Sequence, residues 1–184
     1  MIFYKICYEM KLNFLFKKIF QLTLALFVGT LSVLSQSEKV SITNSFNGFS
    51  LKVEGKNFMI KGVNWDVIPI GKNAVNANFW EGSDEIIKSG LDHEMSLLRA
   101  MNVNAIRHYS GIPAKWIQYI YENYGIHTMI NHSFGRYGMS VDGEWNPITD
   151  YSDPKMQKIL LSEIEKMVSN YKNTPGLLLY LLGN

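Results

Sequence analysis

The feature that most constrains this chain is an alternation. Four short apolar runs, each closing on polar residues, are separated by stretches with helical spacing. The runs are Phe58–Val63 leading into Asn64-Trp65-Asp66, then Asn102–Tyr109, Ile126–Ser133 and Leu177–Leu182. The last is the clearest, because Pro175 and Gly176 punctuate its start and nothing in it alternates with polar residues before Gly183-Asn184. A strand that is apolar on both faces is covered on both, as in a parallel sheet with helices packed on it. Between the runs, Leu91, Met95, Leu98 and Met101 share one helical face, and Gly90 either breaks or starts that helix. Trp116, Ile117, Ile120, Tyr121 and Tyr124 form a second face, with Pro113 near its first turn and Gly125 as a stop. Met156, Leu160, Ile164, Met167 and Tyr171 form a third, capped by Ser152 or Asp153 with Pro154 at the first position.

Strand and helix repeated in this way predict right-handed crossovers and a parallel sheet. Two α/β architectures fit, a doubly wound sheet and a TIM (β/α)8 barrel. No glycine-rich phosphate loop follows any run, which weakens the nucleotide-binding version. Polar tips and long connections on one side favour the barrel, with residues 49–184 holding about its first four strand–helix units. Half a barrel leaves two strand edges unpaired and one apolar face open, so the chain is expected to be marginal or prone to aggregate alone.

The front of the chain reads differently. Phe49-Ser-Leu-Lys-Val53 alternates apolar with polar, Glu54–Asn57 is a turn signal, and Phe58–Val63 returns, which predicts a short β-hairpin. Residues 36–48 are polar and read as a linker or irregular lead-in. Residues 1–35 read as a signal peptide: Lys11, Lys17 and Lys18 precede an apolar stretch, Ile19 to Leu34, that Gln21, Thr23, Gly29 and Thr30 interrupt. That stretch falls short of the roughly 20 apolar residues of a spanning helix. Val33 and Ser35 suit cleavage before Gln36, and Met10 opens a more ordinary leader than Met1. The expected destination is periplasmic, cell-surface or extracellular, with no membrane attachment after cleavage.

Removing the leader also settles what charge and cysteine imply. The formal +2 comes from 18 basic and 16 acidic residues, but Lys5, Lys11, Lys17 and Lys18 stand in the leader against Glu9. The remainder is near neutral and shows no basic stripe, so nucleic acid is not an expected partner. The one cysteine, Cys7, also lies in the leader, so the remainder has no disulfide, cysteine-type zinc site or cysteine nucleophile.

The candidate functional residues cluster at strand tips and in long connections. Arg107, His108, His132 and Asn184 end strands, Trp65 and Trp145 are candidate stacking walls for a flat ligand, and Asp66 follows Trp65. Asp66, His108 and His132 are side-chain types that suit zinc, but their spacing matches no metal motif, so neither metal nor cofactor is expected. Asp142 and Glu144 read as loop carboxylates in the connection from Phe134 to Ser152. The other long connection, Val67 to Ser83, carries Pro69, Gly71 and Gly82, and loops of that length are usually functional or mobile.

Five segments together support a family resemblance: Phe58-Met-Ile-Lys-Gly-Val-Asn-Trp65, Asn102-Val-Asn-Ala-Ile-Arg-His-Tyr109, Tyr124-Gly-Ile, Tyr171-Lys-Asn-Thr-Pro-Gly and Leu182-Gly-Asn184. In this order they resemble the N-terminal half of the catalytic barrel in the retaining β-glycosidase clan. They look closest to the barrel domain of glycoside hydrolase family 2, and are also similar to β-glucanosyltransferases and cellulase-like enzymes. The resemblance implies an oligo- or polysaccharide substrate and a two-carboxylate mechanism. It matches Asn184 to the amide that binds the sugar 2-hydroxyl and Arg107 to the strand-two arginine beside the nucleophile. It places the acid/base glutamate immediately after Asn184 and the nucleophile at a seventh strand, so both catalytic carboxylates fall outside residues 1–184. Retaining hydrolysis needs those carboxyl groups about 5–5.5 Å apart, one neutral and one ionised, and an arginine beside the nucleophile keeps it ionised. Family 2 members usually carry β-sandwich domains before the barrel, where this chain has a leader and a hairpin. The alternatives are a non-catalytic carbohydrate-binding or cell-surface protein, or decayed barrel, and a metal-dependent barrel hydrolase.

Overall fold

The computed structural model describes residues 39–46, 48–68, 79–109 and 111–183. The chain divides into the units Met1–Gln36 and Ser37–Asn184, and every described residue belongs to the second. The leader expected at 1–35, Pro69 and Gly71 of the first long connection, and Asn184 lie outside the described residues.

The described chain begins with a small antiparallel sheet of β1 (Val40–Ser45), β2 (Gly48–Val53) and β3 (Lys56–Asn57), in that order. The lead-in expected at 36–48 is therefore not irregular throughout. Val40 and Ile42 pair with Val53 and Leu51, which puts the apolar side chains of both strands on one face and Ser41 and Thr43 on the other. The expected return arm is shorter: Lys56 and Asn57 pair back onto β2, and Phe58 N donates to Leu51 O at 2.8 Å. Beyond them the Asn104 side chain accepts from Lys61 N at 2.7 Å and donates to Met59 O at 2.8 Å. Those bonds, with Asn104 N donating to Lys61 O at 2.9 Å, tie residues 59–61 to the start of the second parallel strand.

The central sheet has four parallel strands in the order β4 (Gly62–Asn64), β5 (Ala105–His108), β6 (His127–His132) and β9 (Leu177–Leu182). Helix α1 (Asp84–Ala100) links the first two strands, α2 (Ala114–Tyr124) the next two, and α3 (Pro154–Tyr171) the last two. A short hairpin of β7 (Met139–Val141) and β8 (Glu144–Asn146) stands in the connection before α3.

The helix ends follow from local chemistry. Ser83 caps α1, with Asp84 and Glu85 in the first turn where the helix dipole favours negative charge. The helix runs through Gly90, whose missing side chain leaves room for the Phe79 ring. Helix α2 starts after Pro113 and stops at Gly125, whose φ of 66° lets its N–H close on Tyr121 O. Asp153, rather than Ser152, caps α3 by accepting from Lys155 N and Met156 N.

Strand alternation divides the apolar side chains between two layers. Ile106 and Ile130 face the helices, where they pack with Ile87, Leu91, Ile117 and Ile120. Full burial of such side chains is worth about 1.5–3 kcal/mol each, which makes this layer the main source of cohesion. Ala105 and Met129 face the other way, with Leu178, Leu179 and Leu181, and are covered by Val53, Val40 and Leu51 of the small sheet. The hairpin therefore seals part of the inner face of the four-stranded sheet. Strand β9 contains a bulge: Thr128 pairs with Leu177 and Met129 with Leu179, leaving Leu178 inserted between them. Among the described residues, β4 and β9 each pair with one strand only.

Candidate functional site

Parallel strands bring their C-terminal ends together, so the tips of β4, β5 and β6 gather at one end of the sheet. Two faces of that end carry different chemistry. On the inner face, Asn64 lies in register with Arg107 of β5. Arg107 donates from Nε at 3.2 Å and Nη2 at 2.6 Å to the same oxygen, Oδ1 of Asn131 on β6. Asn131 is buried, and the Tyr109 ring centroid lies 4.7 Å from the guanidinium carbon. A cavity of about 310 Å³ opens beside Gly62, Asn64, Arg107 and Met129. The result is a cation fixed in place by an amide, with a second amide beside it.

The helix-facing side holds His108, which alternation turns away from Arg107. It is fully buried between the indoles of Trp65 and Trp80, at centroid distances of 5.9 and 5.6 Å. Its Nε2 lies 3.2 Å from Asp66 Oδ1, off the line of a good hydrogen bond. Burial pushes the imidazole pKa below its ordinary value, with the Asp66 charge opposing, so His108 is neutral near pH 7. Trp65 and His108, both expected as substrate-binding candidates, are buried on the helix-facing side. Both side chains pack into the core behind the sheet and support the tip from within. Asp66 is partly exposed at the tip, and its carboxylate also accepts from Val67 N at 3.0 Å.

His132 also points toward the helices. Its Nδ1 accepts from Phe134 N at 3.0 Å, so the neutral ring carries its proton on Nε2, which lies 3.5 Å from Glu163 Oε2 of α3. Asp66, His108 and His132, the side-chain types that suit zinc, stand in two places, with Asp66 beside His108 and His132 beside Glu163. Among the described residues no three His, Cys, Asp or Glu side chains are grouped to hold a metal ion. Trp145 stands on β8 and is 62% exposed. The turn that presents it is Asp142-Gly143, with φ of 52° and 87°, and Asp142 is paired with Lys155 at 2.6 Å.

Asn131 was not among the residues singled out from sequence. It lies two residues past Met129, which pairs with Arg107, and so shares the arginine's face.

A fixed guanidinium flanked by amides suits a site that must orient a carboxylate and hydrogen-bond hydroxyls. The model of the glycosyl hydrolases family 2 TIM barrel domain matches residues 45–184. The chain belongs to glycosyl hydrolase family 2. No curated protein matches it. Family 2 membership makes the four-stranded sheet part of a TIM barrel and implies a glycoside hydrolase acting on carbohydrate. The family match begins at Ser45, so β2 and β3 fall within it while nearly all of β1 precedes it.

Proposed function

We propose that the protein is an exported, retaining β-glycosidase of oligo- or polysaccharide, and that these 184 residues supply part of its substrate-binding half. The observation that carries this reading is Arg107, held on the inner face at a strand tip by Asn131. A guanidinium in that position keeps a neighbouring carboxylate ionised and ready to act as nucleophile. In this reading Asn184 holds the sugar 2-hydroxyl through a hydrogen bond that strengthens in the transition state. The acid/base glutamate follows it, and the nucleophile arrives from a later strand. Trp145 offers an exposed indole to a sugar face, and Asp66 contributes a carboxylate at the rim.

The test uses the intact gene product and a panel of aryl β-glycosides, with the first-formed anomer read by NMR. Release of the β-anomer supports the proposal, whereas inversion, or no hydrolysis anywhere in the panel, overturns it. The 184-residue chain alone is expected to show no turnover. Hydrolysis by that chain would place the two carboxylates among residues 1–184 and refute the assignment.

A further inference from the structure

A second cavity, of about 440 Å³, lies at the same end of the sheet but on its helix-facing side. Its volume is in the range of small-ligand sites. Ile130 and Met167 contribute an apolar wall. Polar groups reach it from three elements: Tyr109 after β5, Asn131 and His132 at the end of β6, and Glu163, Lys166 and Asn170 along α3. Glu163, Lys166 and Asn170 fall at the three- and four-residue spacing that puts side chains on one helical face.

We propose that this cavity is a subsite for a neutral sugar residue, so that the preferred ligand is an oligosaccharide and not a single glycoside. The inference rests on the carbohydrate reading above, and it names a binding surface beyond the Arg107 site. Three observations point to a neutral sugar. The two full charges of the lining, Glu163 and Lys166, offset one another, which favours neither an anion nor a cation. The lining also offers a carboxylate acceptor together with ammonium and amide donors, and vicinal hydroxyls, each both donor and acceptor, can use all of them. Finally, the apolar wall suits the C–H face of a pyranose. Continuity with the inner site is built in, because Asn131 and Tyr109 belong to both. Asn131 holds the Arg107 guanidinium by its oxygen, and the Tyr109 ring lies against that guanidinium. A chain of sugars leaving the inner face therefore meets this cavity over the tip of β6.

The experiment titrates the intact gene product by calorimetry with methyl β-glycosides and neutral β-linked tetrasaccharides of glucose, mannose and galactose, all in their non-hydrolysable sulfur-linked forms. At least one tetrasaccharide is expected to bind about tenfold or more tightly than its methyl glycoside, the gain of one charge-assisted hydrogen-bonding site. Lys166→Ala, on the exposed side of α3, should remove most of that ratio while leaving methyl glycoside affinity unchanged. Glu163→Gln should do the same and, unlike a collapse of the helix, should leave the far-ultraviolet circular dichroism unaltered. Equal affinity for short and long ligands, or a ratio untouched by both substitutions, overturns the subsite. Its failure is distinct from failure of the glycosidase reading, which is decided by turnover and anomer in the intact gene product.

Discussion

The bond between Arg107 and Asn131 can be weighed by a double-mutant cycle. Both donors of the arginine share one carboxamide oxygen, so the pair counts as one charge-assisted acceptor and not as two independent bonds. Hydrogen bonds to charged groups contribute about 1.5–3 kcal/mol, and Asn131, at 6% exposed, cannot exchange its partner for bulk water at little cost. Arg107→Ala, Asn131→Ala and the double variant should thus show a coupling energy of about 1–3 kcal/mol by urea denaturation, with unchanged m-values. The cycle cancels whatever else Arg107 touches, since those contacts are lost in both of its legs. Asn131→Asp should restore the coupling, because a carboxylate oxygen occupies the same place and adds charge. Additivity within about 0.3 kcal/mol would show that the two side chains do not hold one another. It would also remove the physical basis for Arg107 as a fixed cation.

Other expectations follow from the same structure. Gly176 has a φ of +81°, and a Cβ there would lie 2.3 Å from Tyr121 Cβ, so Gly176→Ala carries both a dihedral and an overlap cost. Gly143→Ala, at a φ of +87° with open space around it, carries the first alone. The first substitution should lower stability by about 1–3 kcal/mol more than the second, and equal thermal shifts would contradict the packing described. Asp92 accepts from Tyr119 at 2.5 Å and Tyr124 at 2.6 Å, and those bonds hold its pKa below the ordinary 3.8. Its contribution is present above that ordinary value and lost as pH falls toward the lowered one. Asp92→Asn should therefore flatten the acid end of a stability–pH profile. His108 titrates by the opposite chemistry with the same sign: burial lowers its folded pKa from 6.5, so the unfolded chain takes up the proton first. Stability should fall as pH drops below 6.5, and His108→Leu should remove that slope.

The barrel architecture was legible because its signals are redundant. Each helix carried both a periodic face and a stop or start residue, as with Gly125 and Pro154, and the Leu177–Leu182 run had no reading except a strand covered on both sides. The hairpin was harder, because β1 is only six residues long and its polar side is made of Ser41 and Thr43, which read equally well as loop. Residues 58–61 look like strand by composition, yet Phe58 closes on the hairpin through Leu51 O while the Asn104 side chain bonds Met59 and Lys61. The β7–β8 hairpin had a readable Asp-Gly turn, between Val141 and Glu144, that the length of the surrounding loop concealed. At the site, Arg107 was visible as a charge ending an apolar run. His108 and Trp65 shared that visibility, but consecutive strand residues face opposite ways, and only pairing shows which face is inner. Asn131 was hidden because an amide inside an apolar run carries no signal until its partner strand is known.

The inserted Leu178 makes β9 a strand with two reading phases. Before it, Leu177 belongs to the helix-facing layer; after it, Leu179 and Leu181 belong to the inner one, with Tyr180 turned back to the helices. Removing Leu178 alone would straighten the strand and leave Leu179, Tyr180 and Leu181 on the faces they hold. Removing Leu179 with it would place Tyr180 opposite Met129 and turn its phenol toward the inner face. The bulged leucine is thus a spare residue, the place in this strand where the loss of one residue leaves the register of the tip intact.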